Sequence, residues 1–332
     1  MKLLWLDLNS SYAHSSLALP ALHAQIADDT TIEWCIVSAT INENTGMVVS
    51  RIHKHRPDII AATNWLFNHE QLLHIISRAK ALLPHCCIVL GGPEFLGNNE
   101  AFLYKNKFVS GVFRGEGEEV FPQWLKVWNH SKETWKAITG LCYLDENGRY
   151  QDNGIARVMN FSQLVSPEKS CFFNWSKPFV QLETTRGCFN TCAFCVSGGE
   201  KPVRTIPLEA IRERLNDIHQ HGIKNVRVLD RTFNYNNKRA KELLDLFRQY
   251  PDICFHLEIH PALLSEELKQ ELSVLPKGLL HLEAGIQSLK ESVLQQSRRI
   301  GKLSDALEGL KYLCSLKNME THADLIARSE EH

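Results

Sequence analysis

The sequence predicts an α/β protein with two domains, each built on a parallel sheet. Three observations predict it. Strand-like apolar runs alternate with helical patterns up to about residue 130, a β-hairpin pattern then breaks this rhythm, and a second alternating series begins at Phe179. A length of 332 residues is compatible with about two domains. We expect domains at 1–130 and 178–332, separated by a linker with a β-hairpin at 131–177.

The first domain is predicted to be a doubly wound, Rossmann-like sheet with flavodoxin strand order. Its strands are expected at 2–8, 31–37, 57–63, 86–90 and 109–113, with helices at about 16–27, 46–54 and 69–82 and one ending near 127. Glycine pairs follow the fourth and fifth strands, at the sheet edge where such folds bind ligands. Glycine there lets the backbone approach a ligand closely.

The second series predicts a parallel barrel or part of one. Its strands are expected at 179–184, 225–229, 253–259, 279–284 and 321–326, and its helices at about 207–219, 237–249, 264–273, 289–297 and 303–316. Three clustered cysteines follow the first of these strands, at the end where barrel enzymes carry their chemistry.

Composition narrows the possible partners and location. The 37 basic residues balance 38 acidic ones, so charge gives no indication of a nucleic-acid partner or an anionic membrane surface. The apolar start MKLLWLDLNSS is too short for a membrane span and is predicted to be a strand. Ten cysteines without the pattern of a small secreted domain favour a reducing, cytoplasmic location.

The stretch RGCFNTCAFCVSGGE contains Cys188, Cys192 and Cys195 in the spacing C-x3-C-x2-C. Three thiolates suit a [4Fe-4S] cluster with one iron left open to a substrate or cofactor. A zinc site with a remote fourth ligand and simple core cysteines are the alternatives. Phe194, which precedes the third cysteine, either packs in the core or packs against a flat ligand beside the cluster.

TTRGCFNTCAFC resembles the cluster motif of the radical S-adenosylmethionine (SAM) enzymes, C-x3-C-x-aromatic-C after the first strand of a partial (β/α)6 barrel. The resemblance covers residues 176–332. It implies that the open iron binds the amino and carboxylate groups of SAM. An electron from an external flavodoxin- or ferredoxin-type reductant then cleaves SAM to methionine and a 5′-deoxyadenosyl radical. Family members continue after HADLI with a Gly-Leu-Pro turn and a sixth strand, so we expect a barrel truncated after its fifth strand.

The resemblance also implies candidates for binding SAM. The Gly198-Gly199-Glu200 segment comes too early for the family's second-strand motif and is interpreted as part of the cluster loop. LDRTFNYN stands at the second-strand position instead, and EAGIQS resembles a family segment near the SAM ribose and carboxylate. The candidate SAM-binding residues are Phe194, Asp230, Asn234, Glu258, Glu283, Gln287, Ser288, Arg299 and Asp324.

Residues 1–130 resemble the cobalamin-binding domain that precedes the barrel in one large class of these enzymes. Cobalamin folds use a D-x-H-x-x-G loop, but the segment YAHSSL has the histidine without the aspartate or glycine, so we expect cobalt without a histidine ligand. DIHQHG at 217–222 matches the motif by letter, but it is predicted to be a helix C-terminus. The candidate cobalamin-binding residues are Ser10, Ser11, His14, Asn64, Leu66, Gly91, Gly92, Gly115, Glu116 and Gly117.

The resemblance implies a cobalamin-dependent radical SAM enzyme, with methyl transfer to an unactivated carbon as one expected reaction. No catalytic side chain is identified, and the substrate, a small molecule or a macromolecule, is not readable. One alternative is a methylthiotransferase with a second cluster, for which Cys35, Cys86 and Cys87 are available. Their places within strands favour core packing instead. The other alternative is a non-catalytic corrinoid or redox carrier.

Overall fold

A computed structural model describes residues 1–14, 16–197 and 200–326. The chain divides into two compact units, Met1–Asn174 and Trp175–His332, each with its own parallel sheet. The described part of the chain contains no helix that is long and apolar enough to span a membrane.

The first unit has the predicted flavodoxin strand order. Its parallel strands are β1 (Lys2–Asn9), β2 (Glu33–Thr40), β3 (Ile59–Thr63), β4 (Cys87–Gly91) and β5 (Gly111–Phe113), arranged β2-β1-β3-β4-β5. The helices are α1 (Ala18–Ala24), α2 (Thr45–His55), α3 (His69–Leu82), α4 (Glu100–Lys105) and α5 (Val120–Leu125). The short α4 was not predicted, because six residues carry too little periodicity to read.

Helices cover both faces of this sheet. In β1, Leu4 and Leu6 belong to one buried cluster with the apolar faces of α2 and α3, while Leu3 and Trp5 belong to another with α5. A strand buried on both faces reads as a continuous apolar run, which explains the sequence KLLWL.

The predicted hairpin extends the first sheet. Strands β6 (Leu141–Leu144) and β7 (Tyr150–Asp152) add to β5 as antiparallel neighbours, giving the order β5-β6-β7. Because side chains on both faces of β6 are fully buried, the hairpin covers the free edge of β5 and belongs to the first unit. The segment expected to link two domains therefore contributes its residues up to 174 to the first one.

The second unit is a partial barrel. Its parallel strands β8 (Val180–Leu182), β11 (Asn225–Val228), β12 (Cys254–Ile259), β13 (Leu280–Gln287) and β14 (Glu320–Leu325) lie in the order β14-β13-β12-β11-β8. A short antiparallel pair, β9 (Thr185–Arg186) and β10 (Arg204–Thr205), flanks the cysteine loop. The helices are α6 (Leu208–Gln220), α7 (Asn237–Phe247), α8 (Glu266–Ser273), α9 (Glu291–Gln296) and α10 (Leu303–Ser315).

The strands of the second unit present two different faces. In β12, Phe255, Leu257 and Ile259 are buried in the core, and the alternate positions 256 and 258 are only partly buried. Because side chains alternate along a strand, this pattern leaves the polar residues of neighbouring strands on one common inner face.

Candidate active site

The three cysteines line one cavity of about 160 Å³ in the second unit. They come from the loop that follows β9, together with Asn190 and Phe194. The remaining lining residues come from the carboxyl ends of β11, β12, β13 and β14 and from the segment after α9. The full lining is Cys188, Asn190, Cys192, Phe194, Cys195, Arg231, Thr232, Glu258, Ile259, His260, Glu283, Gly285, Gln287, Arg299 and Asp324.

Backbone contacts hold the cysteine loop. Gly187 has a φ of +94°, and a Cβ there would lie 2.4 Å from the Glu200 carbonyl oxygen, so only glycine fits before the first cysteine. The Cys188 N–H donates to that same carbonyl at 3.0 Å. The Ala193 N–H donates to the Ser297 carbonyl at 2.9 Å, which ties the loop to the segment that carries Arg299. Gly198 and Gly199 lie outside the described residues.

Asp230, a predicted SAM ligand, instead anchors the start of the loop. Its carboxylate accepts the N–H groups of Thr184 and Thr185 at 2.8 and 2.9 Å, and the Thr184 hydroxyl as well. The side chain is 1% exposed and does not line the cavity. Burial raises its pKa, and the hydrogen bonds from Thr184 and Thr185 oppose that shift.

The electrostatics beside the sulfurs fit a metal cluster. Burial raises the pKa of the Cys188 and Cys192 thiols, while the Asn190 N–H on Cys188 and the Arg299 guanidinium on Cys192 act in the opposite direction. Arg299 also donates to the Gly285 carbonyl at 2.6 Å, which fixes its position. Three thiols around one cavity, with a cation beside them, form a donor set that suits an anionic [4Fe-4S] cluster.

Three carboxyl groups line the cavity from adjacent strands. Glu258 on β12 pairs in register with Glu283 on β13, and Asp324 on β14 pairs with Gly285. Burial raises the pKa of Glu258 to about 7, although Arg231 pulls it down. A hydrogen bond with Glu283 raises the pKa of Asp324, and burial adds to the shift. Carboxyl groups accept hydrogen bonds and carry negative charge when ionised, so they suit ribose hydroxyls and an amino group.

The end of β13 is irregular where it meets the cavity. The register with β14 shifts between Gly285 and Gln287, and Gln287 has a φ of +71°, a left-handed conformation rare outside glycine. Such local strain is frequent at functional sites. Ser288, the next predicted residue, is buried and its Oγ accepts the Lys290 N–H at 3.3 Å, so it shapes the turn before α9 and does not line the cavity.

Asn234 and His260 form a pair that the sequence only half indicates. The Asn234 side chain accepts the backbone N–H of His260 at 2.8 Å and donates to the His260 carbonyl at 2.9 Å. Both of its polar atoms are therefore hydrogen-bonded outside the cavity. His260 lines the cavity and is 3% exposed, and the Ile300 backbone lies near its ring, although neither ring nitrogen makes a hydrogen bond of ordinary geometry. Burial lowers its pKa to about 4, with Arg299 contributing, so the imidazole is neutral at pH 7.

Sequence reasoning thus identified most of the cavity. Six of its candidates line the wall with the cysteines: Phe194, Glu258, Glu283, Gln287, Arg299 and Asp324. Asn190, Thr232, Ile259, His260 and Gly285 were not among the candidates, and Arg231 belongs to the LDRTFNYN segment without being a candidate itself. The two-residue period from Glu258 to His260 on one strand face was a signal that could have found the histidine.

In the first unit, the carboxyl ends of β3 and β4 form a close backbone contact. The Asn64 N–H donates to the Gly91 carbonyl at 2.7 Å. Gly92 has a φ of +113°, and a Cβ there would lie 2.4 Å from the Asn64 carbonyl. The Asn64 side-chain oxygen is buried without a hydrogen-bond partner, which leaves one acceptor for a ligand at this edge.

Exposed apolar side chains lie beside this edge. Leu66 and Tyr12 are each 82% exposed, and the rings of Trp65 and Phe67 stack at 6.3 Å. Clustered exposed apolar groups are typical of a ligand surface. His14 lies here too, with its Nδ1 2.6 Å from the Asn9 side-chain oxygen. Ser10 and Ser11 form the preceding turn, in which the Ser11 carbonyl accepts the His14 N–H at 3.2 Å.

The glycines after β5 are explained by packing. A Cβ on Gly115 would lie 2.2 Å from the Ala156 carbonyl, and one on Gly117 would lie 2.9 Å from Leu22. The Glu116 carboxylate accepts the Val158 N–H at 2.8 Å. Gly115 and Glu116 therefore hold the segment around residue 156 against the end of the sheet, and Gly117 packs against Leu22 of the first helix.

Comparison with known proteins matches both units. A family model described as the B12 binding domain matches residues 8–125, and one described as the Radical SAM superfamily matches residues 182–323. Each model falls on the unit for which the sequence predicts that cofactor.

Two curated proteins that are similar to this chain are named as a methyltransferase and a methylase. An uncharacterised methyltransferase of Pyrococcus horikoshii is 29% identical over 58% of this chain and 43% of its own length. The hopanoid C-3 methylase of Methylococcus capsulatus is 24% identical over 79% of this chain and 51% of its own. The chain thus spans about half the length of these relatives.

A solved structure shares the fold of both units. The cobalamin-dependent SAM radical enzyme OxsB, solved with aqua-cobalamin and SAM bound, aligns with a TM-score of 0.79 at 17% identity, over 98% of this chain and 49% of that one.

Proposed function

Because the chain belongs to the B12-binding radical SAM proteins, we propose that it is a cobalamin-dependent methyltransferase that acts on a carbon atom of its substrate. The observation that carries the proposal is the cavity in which three cysteines, Arg299 and three carboxyl groups meet. When bound, the cluster and SAM would supply the electron and the hydrogen-abstracting radical, and cobalamin the methyl group.

In this proposal, the residues of the second unit hold and orient the cluster and SAM. Cys188, Cys192 and Cys195 would bind three irons, and Arg299 would balance the negative charge of the thiolates and cluster. Glu258 and the Glu283–Asp324 pair offer acceptors for the amino group and hydroxyls of SAM. Phe194 would flank the adenine, and the neutral His260 offers a further hydrogen bond.

The first unit would bind the corrinoid at the carboxyl edge of its sheet. Asn64 and Leu66, with the close backbone at Gly91 and Gly92, would accept the nucleotide tail, and the exposed rings would cover an apolar surface of the corrin. His14 is engaged with Asn9, which favours cobalt without a histidine ligand. Ser10 and Ser11 would contribute hydroxyls from the neighbouring turn.

An external one-electron donor of the flavodoxin or ferredoxin type completes the proposal, together with a reducing, cytoplasmic setting that preserves the thiols. The test is anaerobic reconstitution, followed by incubation with SAM, dithionite, methylcobalamin and a cell extract. Reductive cleavage to methionine and 5′-deoxyadenosine, with a new methylated product, supports the function. Corrinoid binding without any SAM cleavage would instead identify a carrier and refute an enzyme.

The methylthiotransferase alternative needs a second cluster in the first unit. Cys35 and Cys86 pack in the cluster of apolar residues on one face of the sheet, whereas Cys87 packs on the opposite face. Burial raises the pKa of Cys86 to about 12, so that it stays a thiol. This arrangement supports core packing for all three and disfavours a shared cluster.

A further inference from the structure

A second group of metal-ligating side chains lies on the inner face of the partial barrel. His256 on β12, Glu283 on β13 and His322 on β14 occupy three adjacent strands, and Glu283 is in register with His322. Their ligand atoms all lie within 4.8 Å of one another. None of them is a cysteine-loop residue, and neither histidine lines the cavity described above.

The carboxylate stands between the two imidazoles. Glu283 Oε2 is 2.8 Å from His256 Nε2 and 3.6 Å from His322 Nε2. In a tetrahedral site with metal–ligand bonds of about 2.0–2.2 Å, neighbouring ligand atoms are roughly 3.3 Å apart. The observed spacing needs only small side-chain rotations to admit an ion.

A fourth side chain orients one of these ligands. His281 Nε2 is 2.9 Å from His322 Nδ1, so the hydrogen bond occupies the ring nitrogen of His322 that faces away from Glu283. A ligating histidine is usually held in this way through its other nitrogen. His281 is in register with His256, and their ring centroids are 4.8 Å apart. The site therefore has both a ligand set and the outer support that metal sites use.

We propose that His256, Glu283 and His322 bind a single divalent transition-metal ion of the zinc class, with His281 as the positioning residue. Two imidazoles and a carboxylate form a borderline donor set that suits zinc, and they leave a fourth position for water or a substrate atom. Because Glu283 also lines the cysteine cavity, the proposed ion would lie next to that cavity. Glu283 is shared with the proposed SAM pocket, whereas His256 and His322 do not line it, so variants of the two histidines test the metal site separately from the proposed methyl transfer.

The test measures zinc on the reconstituted, cluster-loaded chain. After incubation with zinc chloride and gel filtration, elemental analysis should find one zinc per chain in addition to the cluster iron. His256→Asn and His322→Asn should each lose that zinc, and His281→Asn should weaken its binding about 10- to 100-fold by calorimetry. The matched control is the double variant His219→Asn/His221→Asn, which changes two exposed histidines of the same unit and should retain it.

A second measurement removes the cysteines as competitors. In the variant Cys188→Ala/Cys192→Ala/Cys195→Ala, with native circular dichroism, Co²⁺ should produce the visible absorption of a four- or five-coordinate site, and His256→Asn should abolish it. Zinc that disappears with the cysteines, or that persists in both ligand variants, would overturn the proposal. So would a wild-type chain that retains no zinc.

Discussion

The two units differ in what they present at the carboxyl ends of their parallel strands. In the barrel, reactive side chains from four strands and the cysteine loop converge on one cavity. In the first unit, the corresponding edge offers backbone, an unpaired Asn64 oxygen and exposed apolar rings. A site made of reactive side chains can be recognised from a short motif. A site made of backbone and shape depends on contacts that the motif does not contain.

The largest expected effect is the loss of the cluster from the barrel. Replacing Cys188, Cys192 or Cys195 by Ala removes one of the three thiolates that would hold the cluster, whose fourth iron already has no protein ligand. Each variant should fall from about four irons per chain to almost none, and lose the charge-transfer absorption of the cluster. Cys35→Ala, Cys86→Ala and Cys87→Ala are matched controls in the first unit and should keep both. An iron content that depends on these three would mean that the first unit carries a cluster of its own.

The next effect concerns the anchor of the cysteine loop. Asp230→Ala leaves the N–H groups of Thr184 and Thr185 and the Thr184 hydroxyl without their acceptor. At about 1–3 kcal/mol for each of these three buried unpaired groups, the free energy of unfolding should fall by at least about 3 kcal/mol. Urea unfolding monitored by circular dichroism measures it. Glu213→Ala, at an exposed position on α6, is the control.

A SAM-ligand role for Asp230 predicts a different result. In that case Asp230→Ala would weaken SAM binding strongly and leave the unfolding free energy close to wild type. Equilibrium dialysis with labelled SAM on the folded, reconstituted variant separates the two roles. We expect stability to change more than affinity, because the side chain is 1% exposed and does not reach the cavity.

Arg299 should affect the cofactors without setting the fold. Its guanidinium lies beside Cys192 and donates to the Gly285 carbonyl at 2.6 Å. A charge-assisted hydrogen bond from this guanidinium to the SAM carboxylate would contribute about 1.5–3 kcal/mol, so under the proposed role Arg299→Gln should bind SAM roughly 10- to 100-fold more weakly. Arg298→Gln is the neighbouring control, because that side chain is exposed and outside the cavity lining. Equal losses in both variants would contradict a specific role for Arg299.

Much of the barrel and of the first sheet could be predicted from the sequence. The helix α3 was expected at 69–82 and spans His69–Leu82, because its apolar residues repeat at helical spacing and strand-like segments flank it. Glu258 and Glu283 were found because each stands near the carboxyl end of an apolar strand. These are local signals that a single stretch of chain carries.

Other features depend on contacts that are distant in sequence. Asp230 looks like a cavity residue from its place after β11, but Thr184 and Thr185, 46 and 45 positions away, take its carboxylate. Gly115 looks like a ligand turn, but the Ala156 carbonyl occupies the space that its side chain would need. No periodicity records such pairings. The expected truncation and the Ala-Arg-Ser that replaces Gly-Leu-Pro lie at 327–329, outside the described residues.

A smaller effect is the pH dependence contributed by Glu258. Burial raises its pKa to about 7 from the ordinary glutamate value of 4.5, so between these pH values the native chain holds more protons than the unfolded one. The stabilisation is therefore complete below pH 4.5 and is lost as the pH rises through 7. The full shift corresponds to roughly 3 kcal/mol, and partial exposure reduces it to about 2 kcal/mol.

Glu258→Gln should remove this slope. The measurement is urea unfolding of both cluster-free proteins at pH 5 and pH 8, with a chelator present. Between these pH values, the variant should lose about 2 kcal/mol less unfolding free energy than wild type. Glu267→Gln, an exposed glutamate at the start of α8, should keep the wild-type slope. If Glu258→Gln kept the wild-type dependence of the unfolding free energy on pH, a group other than Glu258 would be responsible for it.

The smallest expected effect returns to the first unit and concerns His14. Its Nδ1 is 2.6 Å from the Asn9 side-chain oxygen, and Asn9 in turn donates to Asp7 at 2.7 Å. The ring also meets Phe67 edge-on, with centroids 5.5 Å apart. A cobalt ligand role would have to break this arrangement, so we expect cobalamin to bind without a protein nitrogen on cobalt. His14→Ala should leave the affinity for hydroxocobalamin within about twofold of wild type, less than about 0.4 kcal/mol. Electron paramagnetic resonance of the Co(II) form should show no nitrogen superhyperfine splitting in either protein. A nitrogen pattern in wild type that disappears in the variant would make the first unit, like the barrel, a site built on a reactive side chain, and the contrast between the two edges would fail.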